Sequence, residues 1–288
     1  MIQHPTHAMR SALNPKHALG LLLAVGIAAG LGACQSSGVY DDVPIDRAVG
    51  SSANIDSLTA VIEANPQDAS AYNTRGIAYG QAGKLDKAIA DFNVALQLNP
   101  RSYQTYTNRA LVFRRMGETQ QAIGDYTRAI NIKPDYDAAY VGRGNAYRTQ
   151  GNYGAALADF NSVIARNSGD ARAYYNRGLI YQAQGQHSRA IEDFATAIGL
   201  SPNVSEIYTA RGISYLAVND PNAAFTDLSM AVNLDKQSSV AWANRGVALE
   251  LLGKPKDARR NYNKALNLDN SNALARDGLT RVNKSIQS

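Results

Sequence analysis

Residues 72–78 read YNTRGIA, and the same shape returns at 106–112 (YTNRALV), 140–146 (YVGRGNA), 174–180 (YYNRGLI), 208–214 (YTARGIS) and 242–248 (WANRGVA). Successive copies are 34 residues apart, with no insertion or deletion. An aromatic followed four residues later by a small residue marks one face of a helix. Three residues after each aromatic stands an arginine, where a helix would be expected to bury something apolar: Arg75, Arg109, Arg143, Arg177, Arg211 and Arg245. Whether these six bind a ligand or belong to the framework is the question the motif raises.

The period extends on both sides of the motif, giving six units: 69–102, 103–136, 137–170, 171–204, 205–238 and 239–272. Position 8 of each unit is small, namely Gly76, Ala110, Gly144, Gly178, Gly212 and Gly246. Position 20 is always alanine, and position 24 is Phe92, Tyr126, Phe160, Phe194, Leu228 or Tyr262. Positions 4, 8 and 11 share one helix face, as do 20, 24 and 27. Small residues at 8 and 20 let two helices approach closely, and the large ones at 4 and 24 fill the space above and below. Position 15 is glycine in five units and Asn219 in the other. These are the residues that tolerate the left-handed backbone ending a helix. Pro221 and Pro255 follow two residues later, where the first helical turn accepts proline.

The pattern resembles the tetratricopeptide repeat over 204 of the 288 residues. The departures are Ala110 at position 8, and Ser168, Lys236 and Asn270 where the family favours proline. The resemblance implies an all-α, right-handed solenoid of six helix-turn-helix repeats. Residues 55–68 read as a degenerate half repeat that keeps only a second helix. Residues 273–288 read as a C-terminal capping helix, with Ala275, Leu279, Val282 and Ile286 on one face and Arg276, Arg281 and Lys284 opposite. A solenoid needs such polar-faced ends to stay in solution.

Family members usually carry leucine at position 7, where this chain has its arginines. Position 23, at about the same height on the antiparallel second helix, reads Asp91, Asp125, Asp159, Asp193, Asp227 and Asn261. Each of the first five arginines therefore has a carboxylate within its own repeat, and Arg245 has an amide. The expectation is a ladder of structural ion pairs.

In tetratricopeptide superhelices the first helices line the concave face through positions 2, 5, 9, 12 and 13. Mapped onto this chain, they give a candidate peptide groove of Arg114, Arg115, Asn145, Arg148, Arg172, Tyr175 and Gln182. The arginines lack a nearby acid in this mapping, and guanidinium forks suit carboxylates. The lining does not reproduce the carboxylate clamp of chaperone-binding members. Beyond repeat 4 the groove turns apolar, with Ile213, Leu216, Val247 and Leu251. That end either takes apolar anchors or is covered by the capping helix.

Composition removes most catalytic chemistry. The chain has one cysteine, Cys34, and four histidines, of which only His187 lies in the repeats, in an inter-helix turn where exposure is expected. Disulfides, cysteine-ligated zinc and Cys-His dyads are thereby excluded. A net charge of +5 with interspersed signs gives no ground for a nucleic-acid partner. No cofactor is expected, and the chain reads as a non-enzyme.

Residues 18–33, ALGLLLAVGIAAGLGA, are uncharged and preceded by Arg10 and Lys16. A basic start followed by an apolar stretch too short to span a bilayer reads as a secretory signal over 1–33. Its end, Leu31-Gly32-Ala33-Cys34, resembles the bacterial lipobox, which implies lipid attachment at Cys34. Gln35 in place of aspartate leans towards outer-membrane sorting. Residues 34–54, polar and broken by glycine and proline, read as a flexible tether.

These features imply a lipid-anchored scaffold of a bacterial envelope, facing the periplasm and binding envelope proteins or peptides through its groove. Two alternatives stay open: a pilotin-type escort for a secretin or pilus machine, and a peptidoglycan-binding or hydrolytic protein. Some members of the family pair through bare convex faces, so a homodimer belongs among the expectations.

Overall fold

The computed structural model describes residues 50–166 and 169–287. Among the described residues there are fourteen α-helices and no strand. Helix α1 (Ser52–Ala64) precedes six hairpins: α2 (Ala69–Gln81) with α3 (Leu85–Leu98), α4 (Tyr103–Arg115) with α5 (Thr119–Ile132), and α6 (Asp137–Thr149) with α7 (Tyr153–Ala165). The others are α8 (Ala171–Ala183) with α9 (His187–Leu200), α10 (Ser205–Ala217) with α11 (Pro221–Leu234), and α12 (Ser239–Leu251) with α13 (Pro255–Leu268). Helix α14 (Ala273–Gln287) follows. The first of these helices starts within the stretch read as tether, because Ser51 caps it by accepting from the Asn54 amide at 3.3 Å.

The hairpin turns share one geometry. In the first repeat, Gly83 adopts φ +73° while its amide donates to Gly80 O and the Lys84 amide donates to Tyr79 O. This paired closure satisfies the last carbonyls of α2. Asn219 makes the same turn at φ 60°, with the Asp220 amide on Tyr215 O at 2.8 Å.

Inside each hairpin the small column meets the large one. A Cβ on Gly76, Gly144 or Gly178 would lie 2.7 Å from the ring of Phe92, Phe160 or Phe194, and all six position-20 alanines are fully buried. A tyrosine at position 24, which faces Ala110 in repeat 2 and Gly246 in repeat 6, reaches further. Tyr126 also lies so close to Gly142 of the next repeat that a Cβ there would overlap Cε1 and Cζ. Tyr262 is seated in the same way on Gly278 of α14. Where position 24 is phenylalanine or leucine, the corresponding residue of the next helix is Asn108, Asn176, Ala210 or Asn244 instead.

No repeat completes a core alone. Val141, Ala156, Phe160 and Val163 cluster with Ala173 and Ile180 of the next hairpin. Burial is thus shared across interfaces, and the stack behaves as a one-dimensional array. First helices also approach one another along the series α2, α4, α6, α8, α10, α12 and α14, more closely than second helices do. The first helices therefore form the inner layer of the solenoid.

Candidate functional site: the arginine ladder and the inner face

The position-7 arginines and position-23 aspartates form side-on forks. Arg75 Nε and Nη2 donate to Asp91 at 2.7 and 2.8 Å, and Arg109 does the same to Asp125 at 2.6 and 2.8 Å. Arg143 with Asp159, Arg177 with Asp193 and Arg211 with Asp227 repeat the fork within 2.6–2.9 Å. The aspartates are buried and the arginines nearly so. Hydrogen bonding to the aspartate holds the guanidinium pKa of Arg75, Arg143, Arg177 and Arg211 above its usual value, against the opposing effect of burial. Aromatic rings one turn before and after flank the cations, as Tyr140 and Tyr147 flank Arg143 at 5.7 and 5.9 Å.

A third column, position 25, was not singled out in the sequence, although its polarity was there to read. Arg75 Nη1 donates to Thr59 Oγ1, Arg109 Nη1 to Asn93 Oδ1, Arg143 Nη1 to Thr127 Oγ1, and Arg177 Nη1 to Asn161 Oδ1. Each acceptor belongs to the preceding second helix. The arginine therefore ties three helices, and Thr59 places α1 in register as the second helix of a preceding repeat. Position 25 becomes Ala195 opposite Arg211 and Ser229 opposite Arg245.

The inner face holds fewer accessible candidates than the groove mapping gave. Asn145 is buried at 2 % exposure, so it belongs to the packing between first helices. Gln182 Nε2 donates to Ala210 O at 2.9 Å and Ser214 Oγ at 2.8 Å, bolting α8 to α10. Arg172, expected to lack an acid, pairs with Asp170 at 2.6 Å. That aspartate also caps α8 through the Arg172 amide, and a 34-residue period gives no sign of an i−2 contact outside the helix. Tyr175 packs against Phe194 with ring centroids 6.0 Å apart. Arg114, Arg115 and Arg148 lie half-buried in the last turns of α4 and α6, where cations complement the helix dipole. Arg115 Nη1 reaches Gly80 O of the preceding first helix at 3.4 Å.

The apolar end divides between the two expectations. Val247 is core, in one cluster with Val282 of α14, while Leu251 stays 40 % exposed. Arg281 of α14 forks onto Glu250 at 3.0 Å, and Tyr262 Oη donates to the same carboxylate at 2.7 Å. Burial, followed by this bond, pushes the Tyr262 phenol far above its usual pKa. The capping helix thus covers part of the last repeat.

His187 opens α9 half-buried, not exposed, and burial lowers its imidazole pKa. No cluster of three or more His, Cys, Asp or Glu suited to a metal occurs among the described residues. Cys34, the signal and nearly all of the tether lie outside the described residues.

Tetratricopeptide repeat models match residues 69–102, 111–151, 141–205 and 239–272, together more than half of the chain. The chain is a tetratricopeptide repeat protein. Among solved structures, a tetratricopeptide repeat protein from Parabacteroides merdae shares 22% identity at TM-score 0.61, over 80% of this chain and 91% of that one. PilF of Pseudomonas aeruginosa gives 16% and 0.68, over 74% and 97%. YrrB, described as having an unusual peptide-binding site, gives 21% and 0.52, over 64% and 95%. At these identities the likeness is one of fold. No curated protein sequence matches this tetratricopeptide repeat chain.

Proposed function

We propose that this tetratricopeptide protein is a non-catalytic scaffold of a bacterial envelope, lipid-anchored at Cys34, that binds acidic segments of partner proteins on its inner face. The observation that carries the binding step is the set of three guanidinium groups, Arg114, Arg115 and Arg148, in the last turns of two adjacent first helices. Guanidinium forks favour carboxylates over uncharged side chains, and a rigid helical layer holds them without much loss of side-chain entropy on binding. Arg75, Arg109, Arg143, Arg177 and Arg211 supply rigidity and not binding, since each is occupied by an aspartate of the same repeat.

The test places a photo-crosslinker on the inner face at Thr149, beside Arg148, in wild-type and Arg114→Glu/Arg148→Glu protein exposed to envelope extract. A partner captured by the wild type and lost on charge reversal supports the inner face as the site. Equal capture by both removes these arginines from the reading. A partner confined to one pilus or secretin machine would turn the reading to an escort. For the anchor, Cys34→Ser should move the protein from the membrane to the soluble fraction, and a chain that stays membrane-bound sinks that part.

A further inference from the structure

The sixth rung of the ladder differs from the other five in charge. Arg245 Nε donates to Asn261 Oδ1 at 2.7 Å, while Asn261 Nδ2 donates to Asp257 O. Asn261 therefore offers one acceptor and no charge. Burial lowers the Arg245 pKa, where the fork raises it in four of the other rungs. The guanidinium lies over the Trp242 ring at 4.3 Å, closer than any other ladder arginine to its aromatic neighbour. At position 25 of the preceding second helix, the place that accepts from four of the other ladder arginines, stands Ser229, whose Oγ is buried and makes no hydrogen bond among the described residues.

Repeat 2 shows what this place holds when a carboxylate is present. A crevice of about 430 Å³ there is lined by Asn93, Leu96, Gln97, Tyr106, Arg109 and Arg128. Both of its cations converge on one carboxylate, with Arg128 Nη1 on Asp125 at 2.8 Å beside the Arg109 fork. Four repeats on, the same positions are Ser229, Val232, Asn233, Trp242, Arg245 and Lys264. The two cations persist and the carboxylate does not. The three surrounding helices, α11, α12 and α13, carry one acid each, and every one is committed elsewhere: Asp227 to Arg211, Glu250 to Arg281 and Asp257 to Arg260.

We propose that the surface between α11, α12 and α13, at the positions equivalent to those lining the repeat-2 crevice, is a second binding site, which takes an aspartate or glutamate side chain of a partner protein on Arg245 and Lys264. The side-on edge of Arg245 faces Asn261, so the incoming carboxylate uses the end-on Nη1/Nη2 edge, with Ser229 Oγ as a further donor and exposed Lys264 closing over it. The stem of the acidic side chain rests on the Trp242 indole. One guanidinium and one ammonium beside a single ring fit a side chain delivered by a protein surface. This site is separate from the inner face, because Trp242 and Arg245 belong to the ladder columns.

Trp242 is the chain's only tryptophan, so its fluorescence reports this site alone. The full-length protein is titrated at constant ionic strength with acetyl-Asp-Asp-amide, and with acetyl-Asn-Asn-amide as the uncharged control. The expected result is a saturable change with the aspartyl peptide at about millimolar concentration, and none with the asparaginyl one. Asn261→Asp copies the other five rungs and so keeps the fold, and its internal carboxylate should weaken the response at least tenfold. Arg101→Glu, an exposed charge reversal outside both sites, should leave it unchanged. An unaltered response in Asn261→Asp, a response lost in Arg101→Glu, or no response in the wild type would each overturn the proposal.

Discussion

Arg143→Met, in the third of six repeats, is the most direct test of the ladder. The arginine side chain is 17% exposed and that of Asp159 is 6% exposed. The substitution removes both fork bonds and the bond to Thr127, and it leaves a buried carboxylate without its cation. Breaking one partner of a buried pair costs about 3–5 kcal/mol. The partial exposure of Arg143 lets water reach the aspartate, which favours the lower end, about 3 kcal/mol. For a domain of this size that corresponds to a fall in Tm of roughly 6–12 °C. Adding Asp159→Leu removes the orphaned charge and should return stability to within about 1 kcal/mol of the wild type. The double-mutant cycle then gives a coupling of at least about 2 kcal/mol. Urea denaturation followed by circular dichroism measures it, with a constant slope required before midpoints are compared. Arg128→Met is the control, since that arginine is 60% exposed and its loss should cost no more than about 1 kcal/mol. An Arg143→Met protein within about 0.5 kcal/mol of wild type, or strictly additive single changes, would refute the structural role of the ladder.

Three further outcomes follow from packing and backbone. Gly142→Ala drives a Cβ into Tyr126 and should cost about 1–3 kcal/mol, with Tyr126→Leu recovering much of the loss in a thermal melt. Gly124→Ala and Gly199→Ala, in helices with nothing within 4 Å of the added Cβ, should each raise stability by about 0.5–1 kcal/mol. A loss at both positions would contradict the helix register. Asn219→Ala forces alanine to φ 60° and should destabilise by about 1–2 kcal/mol, whereas Asn219→Gly should be neutral or better by the same melt.

The sequence by itself determined the helices, their pairing and the ladder partners. A 34-residue period without slippage repeats every local signal six times, so positions 7 and 23 vary together within one chain. The Gly83-type turns were legible for the same reason, since a left-handed residue restricts the choice to glycine or asparagine. Tertiary structure decided what crosses between repeats. Tyr126 and Tyr262 need Gly142 and Gly278 because a tyrosine at position 24 meets the next helix, a contact with no local spacing to announce it. Arg172 was misjudged because Asp170 lies outside the helix on which the groove was mapped, and Gln182 because its acceptors lie 28 and 32 residues away. Helix periodicity fixes which face a residue occupies. Whether that face meets solvent, a neighbouring helix or a charge depends on how the repeats stack.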